Sequence, residues 1–309
     1  MTEIQETIGV HPDLKQWLVN PLSTRRLGGL TNKNYLVETT SGKFVLRVPG
    51  KGTQEYIRRD WEGHAARITA DIGVNATVLY FDEKTGVQLC GFIESAVTMD
   101  ADRFKDPGSI ARAARSLKRV HESKRPFQNT FELFSMIDQY LEFLRSKGAR
   151  LPDGFIEIQK EAEGVRGALH RSRVPTLPCH CDPLAENFLD TGDRMYIVDW
   201  EYSGMNDPMW DLGDLSVEAG FSPEQDETLL SSYFGTQGVS DFDRGRMVLC
   251  KAMCDLLWTL WGIIQHTNQN PTDDFWTYSV NRLNRCTRLM GCGTFGEHLR
   301  AVSDWEASL

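Results

Sequence analysis

The chain has 309 residues, 40% of them hydrophobic and 25% charged, and carries a formal net charge of −9. That composition suits a globular protein with a sizeable core. The acidic balance argues against a general nucleic-acid surface, which would be basic, and favours a cationic small-molecule partner, because an acidic cleft concentrates cations. No run approaches the roughly 20 uninterrupted apolar residues that cross a bilayer, so membrane insertion is not expected. The segment MTEIQETIGVHPDLKQWLV is acidic and polar where a signal peptide would be basic and then apolar. The seven cysteines are odd in number and scattered, which suits a reducing compartment. The cytoplasm is therefore the expected location. Oligomeric state is not readable.

In chain order, Gly28-Gly29-Leu30-Thr31-Asn32-Lys33-Asn34 comes first. Two glycines let backbone N–H groups approach a phosphate, and Thr31 and Asn32 add donors, although a glycine pair before a strand is by itself more often a turn. Residues 35–38 and 44–48 read as a hairpin around 39–43, and residues 78–81 and 87–90 as a second hairpin around 82–86. Between them, 55–70 is helical in pattern, with Ile72-Gly73 as its stop. From about residue 105 the spacing turns helical: Ile110, Ala113, Ala114 and Leu117, then Met136, Ile137, Tyr140, Leu141 and Leu144. A long apolar helix is expected over 246–266. Only 176–199 interrupts this pattern, with short strands at 187–189 and 195–198 about the turn 190–193. The predicted class is α+β, with a small antiparallel-sheet lobe at 1–93, a connector near Phe92-Ile93-Glu94, and a larger, mostly helical lobe at 94–309.

The chemistry concentrates in that interruption. His180, Asp182 and Asn187 stand as H-x-D-x-x-x-x-N, and Asp199 follows at the end of an apolar strand. Phosphoryl transfer asks little covalent chemistry of a protein, but it needs placement and charge neutralisation. One carboxylate must accept the hydrogen bond of the attacking hydroxyl, a role that suits Asp182. A second carboxylate and an amide oxygen must hold magnesium, a hard cation that prefers oxygen; Asp199 and Asn187 suit that. The alternative is that these are loop polar residues met by chance. His180 is better placed to hold the loop than to exchange protons. Cys179-His180-Cys181 invites a zinc reading, but no second ligand pair stands at a zinc-like spacing.

These passages, with Ile197-Val198-Asp199-Trp200-Glu201-Tyr202, the run from Asp207 to Leu215 and the run from Trp258 to Gln265, resemble the aminoglycoside phosphotransferase and choline kinase superfamily. Within it, the resemblance is closest to the choline/ethanolamine kinases. It implies a protein-kinase-like two-lobed fold, with ATP and Mg²⁺ as cofactors and Asp182 as catalytic residue. It also places the loop of Gly28, Gly29, Thr31 and Asn32 over the ATP phosphates and Phe92 and Ile93 beneath the adenine. Arg47 falls where protein kinases place a phosphate-binding lysine; its planar fork can hold two phosphate oxygens, though a solvated charge at a strand edge looks the same in sequence. Glu62, or in competition Glu55, would orient it. Asp211 would brace the catalytic loop through backbone bonds.

On the acceptor side, Trp258 and Trp261 are three apart, so both indoles leave one helix face. A quaternary ammonium has no N–H and is held by aromatic faces and nearby carboxylates. The resemblance puts Tyr202, Trp258, Trp261 and Glu218 around such a pocket, beside Glu201. On pattern alone, aromatics at helical spacing are core more often than cage. The expected activity is ATP-dependent phosphorylation of choline or ethanolamine. The alternatives are a kinase for another hydroxylated amine, such as an aminoglycoside or thiamine, or a non-catalytic nucleotide-binding protein on the same fold.

Overall fold

Two hairpins and the strand that precedes them build the first sheet. The structure, a computed structural model, describes residues 3–28, 32–50 and 57–305. Helix α1 (Glu3–Val10) and a 3-10 turn (Pro12–Gln16) lead into β1 (Ser23–Arg26), β2 (Lys33–Thr39) and β3 (Gly42–Val48), followed by α2 (Arg59–Asp71), β4 (Val78–Phe81) and β5 (Gln88–Gly91). The strands lie in the order β1-β2-β3-β5-β4, all antiparallel. β2 and β3 pair from Lys33↔Val48 to Thr39↔Gly42, the hairpin expected from the alternating pattern. α2 ends at Gly73, whose φ of +70° suits a residue without Cβ. The N-terminal helix was not foreseen. It covers one sheet face, where Ile4, Leu14 and Leu18 pack with Val37, Phe44, Leu46 and Leu89, and Glu3 accepts hydrogen bonds from Lys33 and Tyr35.

The remainder comprises β6 (Val97–Thr98), α3 (Pro107–His121), α4 (Leu133–Ser146), α5 (Phe155–Arg171), β7 (Leu177–Cys179), β8 (Phe188–Asp190), β9 (Met195–Ile197), β10 (Gly204–Asn206), α6 (Pro208–Glu218), α7 (Pro223–Phe234), α8 (Asp241–Thr267), α9 (Phe275–Met290) and α10 (Phe295–Ser303). α8 begins five residues before the sequence pattern suggests, because Ser240 and Asp243 form a reciprocal capping box at its start. It is long and apolar enough to cross a bilayer, but 78% of its most apolar stretch is buried inside the protein. It is the central core helix, packed by α4, α6, α9 and α10. Two small sheets, β10-β7 and β6-β8-β9, hold the interruption read at 176–199. α2 belongs to both halves: its Ala65, Ala66 and Ile68 join the large helical core, while its first turn faces the sheet. Six cysteines are buried and Cys292 is exposed, all as free thiols.

Candidate active site

The loop between β7 and β8 is fixed from behind. Asp211, fully buried on α6, accepts the His180 N–H at 2.7 Å on one carboxylate oxygen and the Cys181 N–H at 2.8 Å on the other. This brace was expected from the sequence. Cys181 has φ +68°, a left-handed conformation that costs a residue with a Cβ about 1–3 kcal/mol and persists only when its surroundings dictate it. The Asp211 bond and the Trp210 indole N–H, which donates to the Cys181 carbonyl at 3.2 Å, supply that. His180 is buried, its Nε2 bonds the Val198 carbonyl at 2.9 Å, and its Nδ1 accepts the Asp182 N–H at 3.3 Å. Burial lowers its pKa, so the ring is neutral and both nitrogens are engaged in holding the loop.

Asp182 follows, half-buried. Among the described residues its carboxylate accepts no hydrogen bond. Its pKa is pushed well above the usual carboxylate range, first by burial and then by Glu218, Asp199 and Glu201. The Asn187 side-chain amide donates to the Asp182 carbonyl at 3.1 Å, which turns its own oxygen free. The Asn187 carbonyl accepts from Val198 at 2.9 Å, so the β8 and β9 sides of the loop are tied together next to Asp199. Asp199 is itself left-handed, φ +67°. The two acids are thus each carried by or beside a residue in the left-handed region.

On the sheet side lies a lattice of ions. Arg47 of β3 pairs with Glu62 of α2 and, at 2.7 Å, with Asp199. Arg59, which the sequence reading missed, holds Glu62 at 2.5 Å and Glu201 at 3.4 Å. Glu201 also accepts from the Asn32 amide at 3.2 Å; its carboxyl pKa is raised by burial and by Asp199. Glu201 was expected beside the aromatic rings, yet its carboxylate turns to Arg59, Asn32 and, at 4.0 Å, Arg47, where two cations and an amide compensate its burial. Among the described residues the Asn32 oxygen is buried without a partner. Glu62, Asp199 and Glu201 each bring a carboxylate oxygen within 4.8 Å of the others. These three are oxygen donors, which fit a hard divalent cation. Gly28 accepts from the Asn34 amide at 3.0 Å; Gly29, Thr31 and Glu55 lie outside the described residues. Phe92 and Ile93 leave β5 half-buried, the Phe92 N–H bonded to the Lys43 carbonyl at 3.0 Å.

On the other side of Asp182 the rings meet edge to face: Tyr202 with Trp258 at 5.7 Å, Trp258 with Trp261 at 6.1 Å, Trp261 with Tyr278 at 5.9 Å. Trp258 is 5% exposed and Trp261 half-buried, so the pair is partly core and partly wall. Arg282 stacks over Tyr278 at 4.6 Å and pairs with Glu218 at 2.6 Å and Asp255 at 3.3 Å. Asp214, one turn before Glu218, is wholly buried and accepts from the Cys254 thiol at 3.2 Å, with its other oxygen unpartnered. Burial, then Glu218 and Asp182, raise its pKa well above the ordinary value. Asp214, Tyr278 and Arg282 were not singled out in the sequence. Their only signal is i,i+4 spacing, from Asp214 to Glu218 and from Tyr278 to Arg282, a pattern shared with any surface ion pair.

Residues 23–248 match the model of the phosphotransferase enzyme family. A choline/ethanolamine kinase family protein from Mesorhizobium loti is 48% identical over 97% of this chain and 99% of its own, with a TM-score of 0.89. The choline kinase LicA from Streptococcus pneumoniae is 29% identical over 94% of this chain and 99% of its own, TM-score 0.78. A LicA structure in complex with AMP is 28% identical over 96% and 100%, TM-score 0.75. The chain therefore belongs to the phosphotransferase enzyme family and, within it, to the choline/ethanolamine kinases, small-molecule phosphotransferases of protein-kinase-like fold that act on an alcohol group.

Proposed function

We propose that the protein transfers the terminal phosphoryl group of ATP to the hydroxyl of a small cationic amino alcohol, choline or ethanolamine, with Asp182 as the catalytic base. The observation that carries this reading is the position of Asp182. Its carboxylate is left without a donor between a lattice of arginines and acids and a box of rings and carboxylates.

Asp182 accepts the hydrogen bond of the substrate hydroxyl and aims it; the brace on His180 and Cys181 fixes the direction. A base whose pKa is raised toward the working pH is the better proton acceptor. Arg47, held by Glu62, presents its fork to the phosphate oxygens, and Asn32, anchored on Glu201, adds an amide donor toward them. Asp199 and Asn187 would hold Mg²⁺, which when bound neutralises the phosphate charge. Phe92 and Ile93 supply backbone groups to the adenine. Residues 1–93 form the nucleotide lobe and 94–309 the acceptor lobe in this reading, and dependence on ATP places the reaction in the cytoplasm.

Tyr202, Trp258, Trp261 and Glu218 receive the ammonium group.

The deciding experiment is ATP consumption with choline, ethanolamine, thiamine and kanamycin, with Mg²⁺ and with EDTA. Turnover with choline or ethanolamine, abolished by EDTA and restored by Mg²⁺, is expected. ATP binding without turnover of any acceptor would make the protein a nucleotide-binding relative instead. Trp261→Ala should raise the acceptor KM about tenfold while the KM for ATP holds; an unchanged acceptor KM would remove the rings from the pocket.

A further inference from the structure

The first residue of α2, Arg59, is a charge buried on purpose-built partners. It is 4% exposed. Its guanidinium takes Oε2 of Glu62 at 2.5 Å and lies 3.4 Å from Oε2 of Glu201, while Arg47 takes the other Glu62 oxygen, Oε1. Gly86, in the turn between β4 and β5, packs against its side chain: a Cβ there would meet Arg59 Cδ and Nε, each at 2.6 Å. Burial, then the neighbouring Arg47, lower the Arg59 pKa. A guanidinium nevertheless stays charged, so the cost of burying it beside a second cation has to be offset by the acids.

Both ends of α2 are tied to the segment that carries Asp199. Just beyond its C-terminal end the Val74 carbonyl accepts the Ile197 N–H at 2.9 Å, and at its first turn Arg59 holds Glu201. Glu62 therefore shares one frame with Asp199 and Glu201, and Arg47 meets that frame from β3 of the sheet. Arg47 and Arg59 together face Glu62, Asp199 and Glu201, whose oxygens lie within 4.8 Å of one another. Without Arg59, Arg47, already bonded to Glu62 and Asp199 and 4.0 Å from Glu201, would have to serve all three. We propose that Arg59 is a positioning residue for the nucleotide: by holding Glu201 and the far oxygen of Glu62, it keeps Arg47 from being drawn onto Glu201 and so keeps the fork aimed at phosphate. A lysine could supply the charge, but not two N–H groups set at a fixed angle to two carboxylates.

The inference rests on the proposed role of Arg47 as the phosphate fork, so it is read by binding as well as by turnover. ADP affinity is measured by calorimetry in EDTA, where no metal contributes, and each protein is melted in parallel. The set is wild type, Arg59→Met, Arg59→Lys, Glu201→Gln and the double variant Arg59→Met with Glu201→Gln. Arg59→Met should weaken ADP about tenfold, with Arg59→Lys between it and wild type. The double variant should return to within about twofold of Glu201→Gln alone, because the acid that Arg59 restrains is gone. With Mg²⁺ and acceptor present, the KM for ATP should follow the same order while the acceptor KM holds. An Arg59→Met protein that melts earlier yet binds ADP as wild type does would overturn the proposal, leaving Arg59 as an ion pair of the fold and the assigned activity untouched. So would a double variant no better than Arg59→Met, since the effect would not pass through Glu201. Wild type that bound no ADP would overturn the assigned nucleotide site, and the role of Arg59 with it.

Discussion

Asp182 is surrounded by the carboxylates of Glu218, Asp199 and Glu201, and that arrangement has a thermodynamic signature. Its pKa is raised in the folded state, so the folded protein holds a proton there more readily than the unfolded chain, whose carboxyl titrates near about 3.9. The stability contributed by this group is fully present below that unfolded value and is lost as pH rises through the folded pKa. Above the unfolded value Asp182 therefore counts against the fold. Asp182→Asn should lower kcat by about 100-fold or more while raising the melting temperature by a few degrees at pH 7.5, a gain that shrinks toward pH 4. Melts at pH 4, 5.5 and 7.5 check this, and a variant less stable than wild type throughout would contradict it. Asp182, Asn187 and Asp199 could be singled out from the sequence because their meaning lies in short-range spacing, whereas Arg47 and Glu62 were reached only through the family resemblance, with Glu55 as a rival for the acid. Arg59, Asp214, Tyr278 and Arg282 could not be singled out. Each acquires its partners only when α2, α6, α8 and α9 pack, and along the chain an Arg or Asp on a helix reads as a solvated charge. Glu201 illustrates the same limit, since adjacency to Tyr202 in sequence says nothing about which way its carboxylate turns.

The elements themselves were more legible. The β2–β3 and β4–β5 hairpins, the 188–197 hairpin and α8 all follow from period-two or helical spacing, whereas α1 and β1 carry too few apolar residues to announce themselves. Packing between helices depends on positions that no periodicity marks. Gly213 on α6 and Gly262 on α8 are such positions. A Cβ on Gly213 would meet the Met247 carbonyl at 3.0 Å and the Lys251 nitrogen at 3.1 Å, both backbone atoms of α8, and one on Gly262 would meet the Ser279 hydroxyl first and the Tyr278 ring at 2.7 Å, both on α9. Gly213→Ala must separate α6 from α8 and should cost about 1–3 kcal/mol, read by denaturant unfolding. Gly262→Ala acts on the aromatic wall instead: by displacing Tyr278 it should raise the acceptor KM several-fold with ATP kinetics intact. An ATP effect of equal size would show that the α8–α9 contact serves the whole site.

At the scale of the molecule, the sheet has its own core around Val37, Leu46 and Leu89 and the helices have theirs around α8, with α2 reaching from one to the other. Glu62 sits on that bridge and pairs with Arg47 of β3, so a nucleotide held there would link the two cores by mass action. A nucleotide with Mg²⁺ at a hundred times its Kd should stabilise the fold by about 2.7 kcal/mol, visible as a shift of the whole melting transition. A shift confined to a minor early phase would show the two cores unfolding separately.

The free thiols turn the protein into its own chemical clock. Cys292 alone is open to a labelling reagent, while Cys90 lies in the sheet, Cys179 and Cys181 flank His180, and Cys250, Cys254 and Cys286 line the helical core. Alkylation of the native protein should therefore stop at one adduct, and the order in which the other six react under mild denaturant would map which region opens first. Early modification at Cys181 relative to Cys254 would mean that the loop between β7 and β8 loosens while α8 is still packed, a sequence of events that a single melting curve cannot resolve.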